Sequence, residues 1–315
     1  MRITVIGGAN VDITGVSAGR LRQGDSNPGT VHLSGGGVGR NIAENLRLLG
    51  AGVSFITAIG DDDFGEFLRR RITGTGPEDS RLILRRGMGT GLYLALIQPT
   101  GELYVAVNDM AAVESIGPAD LESLGDYAAA SDLVVLDANL LPETLEAAAR
   151  AAGDVPIMAD AVSEGKAGRL LGLLPRLEIL KANRAEAAIL AGFPLDTEAA
   201  LGEGCRRLLD TGLRQLYITL GAGGACCASR EAVFVLPALP SRMVNVNGAG
   251  DAFAAGVAYR YCLGAGSAAE NGAFGAACAA ITTESDNAVC GTLTRAEVEE
   301  RAAHMPSRAP LQKKE

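Results

Sequence analysis

Six apolar runs recur along the chain: RITVIGG from Arg2, VSFITAIG from Val53, LVVLDAN from Leu133, VPIMAD from Val155, LEILKAN from Leu177 and QLYITLG from Gln215. Each is short enough for a strand and ends on Gly, Asn or Asp. Between them lie segments with helical apolar spacing, such as GRNIAENLRLLG from Gly39, PETLEAAARAAG from Pro142 and EAALGEGCRRLLDTG from Glu198. The alternation predicts an α/β fold, a parallel sheet covered by helices. In such sheets the ligand crevice lies beyond the carboxyl ends of the strands, where GGAN, DAN, KAN and TLGAGG fall. Two regions break the rhythm. Residues 12–34 are one; GLYLALIQPTGELYVAVND, from Gly91 to Asp109, is the other, with two alternating halves around Pro-Thr-Gly that predict a hairpin. Together they predict a small accessory sheet, a lid formed by about residues 12–34 and 89–112 of a single domain spanning 1–315. The polar tail SRAPLQKKE is expected to be loose.

Composition narrows the function. A chain of 315 residues that is 48% hydrophobic can bury a large core. Its net charge of −9, without a Lys/Arg block, gives no electrostatic footing for a nucleic-acid polymer. The opening MRITVIGG is too short for a signal segment, and no stretch approaches about 18 uninterrupted apolar residues. A soluble cytoplasmic protein with no membrane partner is the expectation. The six cysteines, at 205, 226, 227, 262, 278 and 290, show no C-x-x-C spacing and are expected as buried thiols. With only His32 and His304 available, a histidine metal site or triad lacks material. SEGKAG fails the Walker pattern, and no G-x-G-x-x-G occurs. GVSAG, from Gly15, has the letters of a nucleophile elbow but neither the following helix nor a suitable later histidine. Chemistry must come from carboxylates, amides and backbone.

Four stretches carry candidate chemistry. In NVNGAGDAF, Gly248, Ala249 and Gly250 leave backbone N–H groups bare before a helical pattern, and Asp251 falls in its first turn. Bare amides at a helix N-terminus bind anions, and a carboxylate there can take a proton. The same letters also describe an ordinary glycine turn entering a helix. In GGANVD, Asn10 and Asp12 suit adjacent sugar hydroxyls, or simply make a polar strand end. SGGGVGRN puts Gly36 and Gly37 at a helix mouth with Asn41 in the first turn, for close ligand approach or for helix entry. KANRAE spaces Asn183 and Glu186 three apart on one helix face, suited to orienting hydrated Mg2+ or to opening a helix.

In this order, from GGANVD through GGGVGRN and KANRAE to NGAGDAF, the four stretches resemble the PfkB, or ribokinase-like, carbohydrate kinases over nearly the whole chain. The resemblance implies a three-layer α/β/α fold with a mostly parallel central sheet and a small β-sheet lid. It implies that Gly248, Ala249 and Gly250 form an anion hole and that Asp251 deprotonates a primary hydroxyl. Asn183, Thr219, Gly221 and Gly224 are implied along ATP, and Glu186 at Mg2+ through water. Substrate contacts are implied for Asn10, Asp12, Gly36, Gly37, Asn41, Asn108 and Asn139. Such a site suits phosphoryl transfer, which asks mainly for positioning and charge stabilisation. Within the family the details are most similar to pseudouridine kinases: DSNPG at 25–29, GGVGRNIAENL from Gly36, AVNDM at 106–110, and Val38 where ribokinases tend to carry lysine. The implied reaction is ATP-dependent phosphorylation of the 5′-hydroxyl of pseudouridine, giving pseudouridine 5′-phosphate and ADP. Asp25, Ser26 and Asn27 are expected to reach the base edge as a lid closes, though their letters also fit a polar surface turn. Asn245 and Asn247 replace the Asp and Thr frequent in the family, so a need for K+ stays open. Relatives often pair through lid strands, which implies such a homodimer as one assembly, while the sequence itself leaves the oligomeric state open. The alternatives are a ribose, fructose or adenosine kinase of the same fold, and a noncatalytic small-molecule binder. A binder would not need Asp251, the small anion-hole residues, Asn183 and Glu186 together.

Overall fold

The computed structural model describes residues 1–75, 79–122, 125–264, 266–306 and 309–310. In chain order its strands are β1 (Arg2–Ile6), β2 (Asn10–Ser17), β3 (Gly29–Gly36), β4 (Gly52–Gly60), β5 (Asp79–Arg85), β6 (Leu92–Ile97), β7 (Leu103–Asp109), β8 (Leu133–Asp137), β9 (Ile157–Asp160), β10 (Ile179–Asn183), β11 (Gln215–Thr219), β12 (Ala225–Ser229), β13 (Val233–Leu236) and β14 (Ala309–Pro310). The main sheet has the order β14-β13-β12-β11-β10-β9-β8-β1-β4-β5. It is parallel from β5 to β11 and antiparallel beyond.

Alternation along β1 shows why the strand runs are apolar on both sides. Ile3 and Val5 face a core shared with the helices Val38–Leu48, Ala249–Cys262 and Ala268–Thr283, while Ile6 faces a second core with Pro142–Ala151, Arg184–Ala191 and Glu198–Asp210. Burial on both faces demands continuous hydrophobicity in a parallel sheet. The result is three layers. The helix Ala249–Cys262 is buried from Ala252 to Tyr259 because helices pack on both its flanks. Strands β5, β12 and β13 lie outside the six predicted runs. In β12 the small residues Ala225 to Ala228 gain their strand state from tertiary burial, which short-range β preference does not encode. The tail also departs from expectation, since Ala309–Pro310 pairs with β13; residues 307, 308 and 311–315 lie outside the described residues. All six cysteines are free thiols, five of them buried. Among the described residues no helix is long and apolar enough to cross a membrane.

The chain leaves β1, adds β4 and β5 on one side, and later lays β8 to β11 on the other. The reversal point between β1 and β8 is where an α/β sheet opens a crevice at its carboxyl edge. A second sheet, β3-β2-β6-β7, stands beside it. Its register puts Asp12, Ser34, Tyr93 and Asn108 in one row on one face. Ile13, Leu33, Leu94 and Val107 form the next row, on the opposite face.

Candidate active site

At the reversal point Asp137, ending β8, is fully buried and accepts the N–H groups of Gly8 (2.8 Å), Gly39 (2.8 Å) and Asn139 (2.9 Å). It ties the loop after β1 to the helix Val38–Leu48. Burial pushes its carboxyl above the usual range, against the pull of these N–H groups. Gly37 enters that helix at φ 101°, a left-handed conformation, with the Gly8 carbonyl where a side chain would stand. Only glycine meets both demands. Arg40, buried in the first turn, donates to the carbonyls of Gly35 (2.8 Å) and Gly36 (3.1 Å), to Glu44 (2.7 Å) and to Asn41 Oδ1 (2.6 Å).

Beside this floor Asn10 Nδ2 donates to Asp12 Oδ1 at 2.5 Å. Burial raises the Asp12 carboxyl, with Asn10 and Arg40 opposing. A side chain at Gly36 would run into the Asp12 carboxylate. The structure therefore brings Asn10, Asp12, Gly36, Gly37 and Asn41 together, with Asn108 exposed at the end of the Asp12 row. Asn139 closes the other side: its Oδ1 accepts from Lys166 Nζ at 2.7 Å, and its carbonyl accepts from Arg169 at 2.9 Å. The segment that fails as a Walker motif thus delivers a lysine to the crevice. It does so after Val162, whose φ of 65° is a rare conformation for a β-branched residue.

The helix Ala249–Cys262 opens at Gly248, in a left-handed conformation at φ 78° and with no side-chain cap. First-turn N–H groups have no partner within a helix. That of Ala249 leans on the Val246 carbonyl at 3.3 Å, and that of Ala252 donates to the Gly248 carbonyl at 2.9 Å. Asp251 accepts a 2.7 Å hydrogen bond from Asn41 Nδ2, across 210 residues of sequence. Burial and then the nearby Asp160 push its carboxyl from 3.8 up to about 7, with Lys181 and Asn41 pulling the other way.

The residues expected along the nucleotide gather at the ends of β10, β11 and β12. Asn183 and Thr219 are partners in the parallel ladder, and the turn Gly221–Gly223 leads through Gly224 into β12. At about 4.8 Å per strand, β1 and β10 stand about 14 Å apart, so the crevice is long enough for an acceptor at one end and a nucleotide at the other. Asn183 caps the helix Arg184–Ala191 in a reciprocal box: Glu186 N donates to Asn183 Oδ1 (2.9 Å), while Asn183 N and Nδ2 donate to the Glu186 carboxylate (both 2.7 Å). Burial raises the Glu186 carboxyl. The helix-opening alternative is thus realised here in full.

Asp25, Ser26 and Asn27 are not brought to this crevice. They lie in the turn beyond the Ser17–Gly29 pair, seven residues along β2 from Asn10, or about 23 Å at 3.3 Å per residue. The Asn27 amide is used within the turn, to Arg22 N (2.7 Å), Arg22 O (3.0 Å) and Asp25 O (2.9 Å). Asn245 donates to the Asp286 carbonyl at 3.0 Å and accepts from Asn247 N at 2.9 Å. Sequence reasoning missed Arg40, Asp137, Asp160, Lys166 and Lys181. For Asp137, Asp160 and Lys181 a signal existed: a charge inside or closing an apolar run is rarely buried without a purpose.

Comparisons with known proteins give the family. The sequence matches the pfkB family carbohydrate kinases over residues 1–294. An uncharacterized sugar kinase of Escherichia coli K12, YeiI, is 35% identical over 282 residues, covering 89% of this chain and 78% of its own. The pseudouridine kinase of the same organism is 34% identical over 258 residues, covering 81% and 82%. The solved structure of a carbohydrate kinase from Agrobacterium tumefaciens, 31% identical, has a TM-score of 0.84 over 98% of both chains. With the match running from the first strand past the Asp251 helix, the chain belongs to the pfkB family of carbohydrate kinases.

Proposed function

We propose that the protein is a cytoplasmic ATP-dependent kinase that phosphorylates the 5′-hydroxyl of pseudouridine. The observation that carries the kinase reading is the helix mouth at Gly248. It lacks a side-chain cap, and it sets Asp251, raised to about 7 and oriented by Asn41, in the first turn. A carboxylate poised near neutral pH suits a general base for a hydroxyl proton. Asn10 and Asp12 hold sugar hydroxyls, with Asn139 across the crevice and Asn108 at its rim. Asp251 takes the proton from the attacking hydroxyl, and the first-turn N–H groups receive the charge of the transferring group.

For the cofactor, the residues present fit ATP with hydrated Mg2+. Among the described residues no group of three His, Cys, Asp or Glu stands ready to grip a metal directly. A Mg2+ carried on nucleotide phosphates keeps several waters, and Glu186, whose carboxylate is fixed by Asn183, would meet it through one. Bound there, Mg2+ supplies charge neutralisation at the phosphates. Thr219, Gly221 and Gly224 would hold the nucleotide.

Support for pseudouridine comes from the 34% identical pseudouridine kinase and from the DSNPG, GGVGRN and AVNDM stretches. The 35% identical YeiI favours a second reading, a sugar as acceptor. ADP release measured with Mg2+ and ATP across pseudouridine, uridine, adenosine, ribose and fructose separates them. The highest kcat/KM is expected with pseudouridine. Preference for ribose or fructose replaces the substrate, and no release with any acceptor overturns the kinase reading.

The same proposal includes a homodimer through the lid. Val31 (65% exposed), Leu33 (47%), Leu94 (42%), Val105 (44%) and Val107 (65%) lie on one face of the small sheet. An apolar face of this kind suits a second copy. Light scattering is expected to give twice the chain mass, and Val107→Lys to halve it with the fold intact; a wild-type monomer refutes the dimer.

A further inference from the structure

A buried ammonium and a buried carboxylate lie beneath the helix mouth without an assigned task. Lys181 and Asp160 are partners across the β9–β10 ladder, and Nζ stands 3.0 Å from Oδ2. Asp160 is held in turn by the Val162 N–H, which donates to Oδ1 at 2.8 Å. The lysine head occupies the space behind Gly250: a Cβ on that glycine would lie 3.0 Å from Nζ and 3.6 Å from Cε. A purely structural need here would be met as well by a hydrophobic side chain, because buried ion pairs are weak stabilisers.

We propose that Lys181, locked by Asp160 behind Gly250, is a positioning residue for phosphoryl transfer, holding a fixed positive charge at the back of the helix mouth and beside Asp251. This deepens the kinase reading and rests on it. A charge already in place before reaction needs no reorganisation as negative charge gathers on the transferring group. The groups facing Asp251 come from every neighbouring element: Asp137 on β8, Asp160 on β9, Lys181 on β10, and Arg40 with Asn41 on the helix Val38–Leu48. Lys181 favours the carboxylate form of Asp251, whereas burial and Asp160 oppose it. Burial alone would discharge the lysine, but Asp160, Glu186 and Asp251 outweigh it and hold its pKa above the ordinary value.

The test uses the full chain as wild type, Lys181→Met, Asp160→Asn and the double variant. Two quantities are followed: the Asp251 carboxyl, by 13C NMR titration without ligand, and the pH dependence of kcat/KM with MgATP and pseudouridine. Lys181→Met is expected to raise the Asp251 midpoint and the acid limb by about one unit, and Asp160→Asn to lower both by a similar amount. At pH 8 Lys181→Met should also lose about ten- to hundred-fold in kcat, with each KM within about threefold. Should Lys181→Met fail to fold, Asp160→Asn and the double variant, which removes both charges, still decide. Shifts of one sign in both single variants, or none in any folded variant, overturn the proposal. If wild type releases no ADP with any acceptor the kinase reading falls, while the NMR midpoints alone still decide whether Lys181 acts on Asp251.

Discussion

Two helix mouths face the same crevice, and both carry an acid at the third helical position. At Asn183 the acid is Glu186, and the mouth is closed on itself: the asparagine side chain accepts the Glu186 N–H, and the glutamate accepts from the asparagine in return. At Gly248 the acid is Asp251, and no side chain caps the helix. Its carboxylate is held from outside by Asn41. A capped helix end satisfies its own donors and gains stability. An uncapped one leaves donors and dipole directed at whatever enters the crevice. The first mouth therefore spends its donors on the fold, and the second leaves them open to the crevice.

The largest expected effect exploits that contrast. Asp251→Asn keeps shape and the Asn41 neighbourhood but cannot take a proton, so kcat should fall about 10²–10⁴-fold with substrate KM values nearly unchanged. Steady-state kinetics checks it, and near-normal turnover would erase the distinction between the mouths. Next comes Gly250→Val. The glycine has no left-handed φ, so the harm is steric: the new side chain would push on the Lys181 head, pinned by Asp160. A loss of about 10²-fold in kcat is expected together with about 1–3 kcal/mol of stability, read by kinetics and denaturant unfolding.

A third effect is on stability alone. The Asp251 carboxyl titrates at about 7 in the folded protein against an ordinary 3.8. The folded state thus binds this proton more tightly than the unfolded state. The resulting stabilisation is complete below about pH 4 and is lost as pH rises through 7. Asparagine loses nothing over that window. Asp251→Asn is therefore expected to be more stable than wild type at pH 8 by about 1–3 kcal/mol, discounted for the partial exposure of the side chain, with the gap closing toward pH 4. Thermal unfolding at both pH values measures it. The smallest effect belongs to the closed mouth: Asn183→Ala should cost about 1 kcal/mol as a lost cap. Unfolding gives that number, and the KM for ATP shows whether the residue also touches the nucleotide.

Sequence by itself determined the alternation of strands and helices, because strands buried on both faces must be apolar throughout and the helices between them must carry an apolar stripe. It also marked NGAGD, GGGVGRN and KANRAE, since small residues and amides before a helix are rare enough to stand out. It did not decide which helix mouth is capped. Asn183–Glu186 and Gly248–Asp251 both admitted two readings, and which of the two ends is capped rests on hydrogen bonds that only the folded chain makes. Nor did it supply Asp137, Asp160 or Lys181: each ends or interrupts an apolar run, and its significance appears when neighbouring strands bring the charges within a few ångströms. For Asp25, Ser26 and Asn27 the reverse holds: close to Asn10 and Asp12 in sequence, they stand about 23 Å along the β2–β3 hairpin from Asn10. Local pattern fixes what each segment becomes; strand order and register fix which side chains meet, and the electrostatics of this crevice depend on that meeting.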